Sequence, residues 1–177
     1  MATMPLTKQA FRETASRYAT GVVVATTISD GADHAMTASS FTTVSLDPML
    51  VLVCVQNDSR FCDALLDSDH RQWAISILPA DAQGAASWFA TKGRPLHGQF
   101  DRVAHHRGAM TGAILLDSAL ATMELTLAEQ HRAGDHMIVI GEVLSLGCRL
   151  DQMGEADQLA SHLPLVYWAR RYRSLTP

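Results

Sequence analysis

Apolar residues recur at two different periods along the 177-residue chain, and the change of period lays out its elements. Phe11, Ala15 and Tyr18 fall at i, i+4 and i+7 behind Thr7. That spacing predicts a helix over residues 6 to 19, N-capped by Thr7, with this apolar face packed on the rest of the fold. Gly21 breaks it. The β-branched run Val22-Val23-Val24-Ala25-Thr26-Thr27 then predicts a strand, and Ser29-Asp30-Gly31 has the chemistry of a hairpin turn into a second strand through Ala35, Met36 and Ala38. After a Leu46-Asp47-Pro48 turn, seven consecutive apolar residues from Met49 to Val55 read as a strand covered on both faces, one by the interior and the other by a helix or a second subunit.

Asn57-Asp58-Ser59 offers a cap to a helix from Arg60 to about Ser68, with Phe61, Leu65 and Leu66 inward. Trp73 to Leu78 alternates as a strand closed by Pro79, and Asp81 is placed to cap a helix ending near Phe89. TKGRPLHG, residues 91 to 98, is a loop rich in glycine, proline and cations. Phe100, Val103 and the run from Ala113 to Leu116 support no assignment. The clearest strand pair runs from Ala121 to Leu127 and from Met137 to Leu144, with His131 to His136 as its connection. Gln152 to Ser161 is polar, a loop or one helical turn, and Pro164 to Trp168 is a last short strand. Short strands, several hairpins and a few helices give a mainly β fold of barrel type. With no repeat and no linker, residues 1–177 form a single domain.

Composition narrows the partners. Hydrophobic residues make up 47% and charged residues only 18%, a low charge fraction that points to an oligomer. Net charge is −4 without a basic block, which argues against nucleic acid. No apolar run approaches the roughly 18 residues of a membrane span, and the N-terminus lacks the apolar core of a signal peptide. Cys54, Cys62 and Cys148 are odd in number and far apart, which is no disulfide framework, so a reducing cytoplasm is expected. No metal-ligand spacing occurs.

The chemistry concentrates between His34 and Ser59. Thr37, Ala38, Ser39, Ser40, Thr42, Thr43 and Ser45 precede the apolar strand, and Gln56, Asn57, Asp58 and Ser59 follow it. Two clusters of small hydrogen-bonding groups joined by one strand suit a planar ligand with an anionic tail. Ser39, Ser40 and Ser59 could donate to a phosphate held without a Walker loop, with Lys92 or Arg60 as countercharge. The backbone around Cys54, Val55 and Gln56 could supply a flat wall and amide donors for the planar part.

That stretch, HAMTASSFTTVSLDPMLVLVCVQNDS, resembles the signature of the flavin reductase family. So do TGVVVATT near the start, GDHMIVIGEV from Gly134 to Val143, and the tail PLVYWARRYR. Two departures stand out: Ala35 where the family usually has glycine, and Met49 where it usually has a second proline. The resemblance implies an FMN-binding split β-barrel and an NAD(P)H:flavin oxidoreductase. Such an enzyme passes hydride from NADH or NADPH to FMN or FAD and supplies reduced flavin to a partner monooxygenase. It places His136 near the nicotinamide, and Tyr167, Arg170 and Tyr172 of the tail beside flavin and nucleotide. Phe89 completes the candidate set. A homodimer is expected, and no side-chain acid or base is required, because the cofactors carry the reactivity. A flavin-binding electron carrier and a non-enzymatic flavin- or tetrapyrrole-binding barrel remain as alternatives. His136 also has a purely structural reading, as a strand-end residue bonded to Asp135. His105-His106 reads as a solvated loop pair, Cys54 as a small hydrophobe, and Glu124 and Glu142 as outward-facing strand residues.

Overall fold

The computed structural model describes residues 3–68, 71–148 and 163–175; the polar segment from Gln152 to Ser161 lies outside them. Helix α1 (Lys8–Ala15) begins where its cap predicts, with Thr7 Oγ1 accepting the amide of Ala10 at 3.1 Å. Its apolar face is not packed inward, contrary to expectation. Phe11 and Tyr18 are 70% and 78% exposed, and Ala10 is the buried residue of the helix. Periodicity secures a helix but does not say what covers it.

Strand β1 (Thr20–Gly21) leads into the hairpin of β2 (Val23–Ser29) and β3 (Ala32–Ala38). Its two-residue turn holds Asp30 and Gly31 at φ of 51° and 71°, which needs residues tolerant of the left-handed region. Strand β4 (Thr42–Leu46), which the pattern did not single out, returns into β5 (Met49–Gln56). Helix α2 (Arg60–Asp67) is capped by Ser59 Oγ, which accepts the Cys62 amide at 3.2 Å. After β6 (Gln72–Ile77), a single 3-10 turn (Ala80–Ala82) opens α3 (Gln83–Ala90). Asp81 therefore lies inside that turn and caps nothing; the N-cap position of α3 is Ala82.

Strands β7 (His105–Arg107) and β8 (Ile114–Leu116) form a two-stranded ribbon, so His105 and His106 are strand residues rather than a loop. They are exposed, and the fold brings Asp117 Oδ1 to 2.7 Å from His106 Nδ1. Strands β9 (Ala121–Ala133) and β10 (His136–Cys148) run longer than predicted and absorb the expected connection down to Gly134-Asp135, with Gly134 at φ 63°. The tail is a hairpin, β11 (Leu165–Trp168) and β12 (Arg171–Ser174), that joins β1 in a three-stranded sheet.

The main sheet has the order β3-β2-β6-β9-β10-β5-β4, all antiparallel. It curls until the end of β3 meets β5 without pairing to it along its length, giving the expected split barrel. Ser40 bridges the seam: its hydroxyl accepts the Cys54 amide at 2.9 Å and donates to the Cys54 carbonyl at 3.2 Å. Inside lie Val23, Ala25, Val53, Val55, Trp73, Ile75, Leu125 and Val139, sealed by Phe61, Cys62 and Leu65 of α2. Each large side chain so buried contributes roughly 1.5–3 kcal/mol.

A second core covers the outside of β2 and β3, where Val24 and Ala35 meet Ala86 and Phe89 of α3, Ile114 and Leu116 of β8, and Leu165 of β11. The same outer layer corrects the reading of Glu124. It is 4% exposed, and its Oε2 accepts from the amides of Met110 and Thr111 and from the Thr111 hydroxyl, at 2.9, 2.7 and 2.9 Å. Strand β5 alternates after all: Val51, Val53 and Val55 are buried, while Leu50, Leu52 and Cys54 are half-buried on the outer face.

Candidate functional site

A cavity of about 730 Å³ opens where β3, the start of α2 and the segment after α3 converge. Because β3 ends the main sheet, one row of its backbone groups faces no neighbouring strand among the described residues. The 91–99 loop caps part of that row: Gln99 Nε2 donates to the Asp33 carbonyl at 2.6 Å, and Arg94 Nη2 donates to the Ala35 carbonyl. Strand geometry repeats every two residues, so the backbone of Thr37 comes next along the same edge, where it lines the cavity. Ala35 and Ala38 carry little bulk there. Cys54 and Gln56 of β5 form the opposite bank, held to β3 by the Ser40 bridge.

The charged end is the start of α2. Asp58, Ser59, Arg60 and Phe61 line the cavity, so the unpaired amides and positive dipole end of the helix border it. Lys92 and Arg94 come from the loop opposite. Three cations therefore stand against one carboxylate, a donor set that fits a phosphate. Arg94 is 7% exposed and, among the described residues, donates only to neutral oxygens: Gln99 Oε1 at 2.9 Å, Phe89 O at 2.8 Å, Thr91 O at 3.4 Å, and Ala35 O. Burial, with a smaller push from Arg60, lowers its pKa to about 10, so it stays charged at neutral pH. The guanidinium carbon lies 5.3 Å from the centre of the buried Phe89 ring, which forms part of the apolar wall. His34, next to this cluster, is held below the ordinary imidazole range by burial and then by Arg60.

His136 stands at the rim. It opens β10 opposite Gln56 of β5, and its Nδ1 lies 2.7 Å from Asp135 Oδ1. That hydrogen bond, and then the charge of His136, hold the Asp135 carboxyl below its ordinary range. It is bonded to Asp135 and it also lines the cavity. Beyond it, an adjoining chamber of about 520 Å³ shares Gln56, Asp58 and Lys92 with the cavity and adds Asn57, Arg132, Gly134 and Asp135.

Thr37, Ala38, Ser39, Ser40, Cys54, Gln56, Ser59, Phe89, Lys92 and His136 are thus brought to one cavity. Not all their hydroxyls face it freely. Thr37 Oγ1 donates to the Ala86 carbonyl of α3 at 2.7 Å, Ser40 is spent on the seam, and Ser59 caps α2. Asn57 lines the adjoining chamber, where its Nδ2 donates to the Gly134 carbonyl at 3.1 Å.

The remaining expected residues lie elsewhere. Ser45 sits near the end of β4, away from the cavity, and its hydroxyl accepts the Asp47 amide of the following turn. The Val55 side chain points into the barrel core. Tyr167 and Tyr172 pair with each other at 5.4 Å between ring centres and pack on the outer core, while Arg170 occupies the tail turn at φ 62°. Phe61, Ala90, Thr91, Gly93 and Arg94 also line the cavity and were not placed there by sequence reasoning. The cationic loop was visible, but nothing in its spacing said that Arg94 turns inward. A larger, more apolar cleft of about 820 Å³ lies against the other face of α3 around Trp88, Pro95 and Val103, but it lacks this convergence of cations, helix end and free strand edge. Among the described residues no cluster of His, Cys, Asp and Glu is arranged to hold a metal ion.

The flavin reductase like domain matches residues 15–176. The chain is 35% identical over 167 residues to the actinorhodin polyketide dimerase of Streptomyces coelicolor, covering 93% of this chain and 84% of that one. Its fold superimposes on BorF, the flavin reductase component of a bacterial two-component tryptophan halogenase, with a TM-score of 0.84 and 39% identity over 97% of this chain and 99% of that one. A TM-score of 0.86 and 30% identity relate it to the Streptomyces globisporus NADH:FAD oxidoreductase solved with NAD and FAD fragments, over 100% of this chain and 98% of that one.

Proposed function

The chain belongs to the flavin reductase-like family and is an NAD(P)H-dependent flavin reductase, and from that premise we propose how its residues serve the reaction. The free edge of β3, with Cys54 and Gln56 opposite, takes the flavin ring, and its backbone amides meet the polar edge of the ring. The start of α2, with Ser39, Lys92 and Arg60, takes the phosphate. His136 holds the nicotinamide from the rim through the imidazole nitrogen not engaged by Asp135. The bound pair supplies the hydride chemistry, so the protein's contribution is to stack the rings at about 3–3.5 Å and to exclude water.

The observation that carries this assignment is the joining of a free strand edge to a helix N-terminus ringed by three cations in one cavity. Residues 1–177 act as one unit in the cytoplasm. The reduced flavin passes to a flavin-dependent monooxygenase. The working form is a homodimer through the exposed apolar end of the main sheet, where Leu46 is 90% and Leu146 61% exposed beside Val44, Met49 and Leu144. Steady-state oxidation of NADH and of NADPH with FMN, FAD and riboflavin in turn tests the reading. Turnover with at least one flavin is expected, and no nicotinamide oxidation with any of the three would refute it.

A further inference from the structure

Arg94 is a buried cation without a counter-ion among the described residues. Its partners are carbonyl oxygens and the Gln99 amide, and the charged group nearest in effect is another cation, Arg60, whose Nη2 donates to the Arg94 carbonyl at 2.8 Å. Leaving such a charge uncompensated in a folded interior is costly unless something else completes the balance. Four hydrogen bonds fix the guanidinium to β3, to the end of α3 and to the loop, so it cannot swing out after a mobile phosphate as Lys92 can. At most one of its five N–H groups is left for a ligand. Arg94 is therefore a charge fixed in direction and place. It lies at the Ala35 carbonyl, two residues and so roughly 7 Å along the strand from the Thr37 edge groups.

Accepting the flavin reading above, the reaction delivers the missing anion. The C–H bond of the dihydronicotinamide breaks and its hydrogen and electron pair form an N–H bond at the central ring of the flavin. The nicotinamide leaves as a cation, and the neutral flavin ring becomes an anion with its charge spread over the pyrimidine end. The geometry points to Arg94 as the residue that makes this cavity hold the reduced flavin anion more tightly than the oxidised ring. A charge preorganised in a partly dry site acts on charge that appears only during the reaction. At roughly 7 Å the preference is on the order of tenfold or more.

Riboflavin is the probe, because it has no phosphate and its oxidised ring is neutral. Anaerobic titrations of oxidised and reduced riboflavin, with the midpoint potential of the bound form, give the ratio of the two dissociation constants for the wild-type protein, Arg94→Lys and Arg94→Gln. The wild type is expected to favour reduced riboflavin at least tenfold, which raises the bound potential by about 30 mV for a two-electron couple. Arg94→Gln is expected to lose that preference, and Arg94→Lys to keep most of it while binding oxidised riboflavin comparably. A wild-type ratio near one overturns the inference without any variant. Equal loss in the lysine and glutamine proteins overturns it too, by making the fork rather than the charge responsible. No binding of riboflavin in either redox state would overturn the flavin assignment itself, and the inference with it.

Discussion

At Gly141 a Cβ atom would stand 2.5 Å from Cζ2 of Trp73, closer than real Cβ contacts allow. The glycine of the GEV segment is thus set by the indole that fills the barrel, not by a turn. Gly141→Ala forces Trp73 off its site and is expected to destabilise the fold by about 1–3 kcal/mol, read as a lower urea midpoint at unchanged slope. On the proposed reading His136 holds the nicotinamide; it is half-exposed at the rim with Asp135 as its partner. With flavin saturating and NADH varied, His136→Ala should raise the Michaelis constant for NADH by roughly 2–10-fold, the worth of one hydrogen bond. Flavin affinity should stay nearly intact, and any fall in turnover reports poorer ring alignment. Unchanged kinetics with both substrates would make the histidine structural.

Single elements carry two duties at this site. The start of α2 seals the barrel with Phe61 and Leu65 while its capping turn borders the cavity, so on the proposed reading Ser59 serves both fold and ligand. Replacing Ser39 and Ser59 together with alanine separates the duties. Loss of the cap is expected to cost about 0.5–2 kcal/mol in unfolding experiments. Loss of charge-assisted hydrogen bonds, roughly 1.5–3 kcal/mol each, should weaken FMN and barely alter riboflavin. Equal weakening of the two flavins would show that neither serine holds the phosphate. Strand β3 is likewise both the margin of the sheet and the floor of the site. Its edge is kept from pairing with another chain by Arg94, Gln99 and the Ser40 bridge.

Among the described residues, two groups of exposed apolar side chains stand out: the face of α1 with Leu6, Phe11 and Tyr18, and the end of the main sheet around Leu46 and Leu146. The second lies on β4, β5 and β10, at the end of β5 and β10 away from Gln56 and His136. Association through it is expected to bury at least about 1,000 Å². Sedimentation at micromolar concentration is expected to give twice the 19.2 kDa of the chain. Glutamate at both Leu46 and Leu146 should halve the mass. A clean monomer of the unmodified protein with full reductase activity would rule the dimer out.

What the sequence determined by itself was local or carried by motif. Thr7 and Ser59 cap helices because a short hydroxyl side chain reaches the amide three residues on. Asp30-Gly31 and Gly134-Asp135 turn hairpins because each pair includes a residue at ease with positive φ. The alternation of the strands made a barrel legible, and the motif around Thr37 to Ser59 located most of one cavity. Tertiary structure alone decided which side chains the long-range contacts consume. It buried Glu124 under the 108–112 turn, spent Thr37 and Ser40 on α3 and the seam, and left the face of α1 in solvent. It also turned Arg94 inward. Periodicity reports which residues share a face, but a guanidinium's partners lie as far as 59 positions away, on the edge of β3. That edge exists only once the sheet has assembled with β3 at its margin.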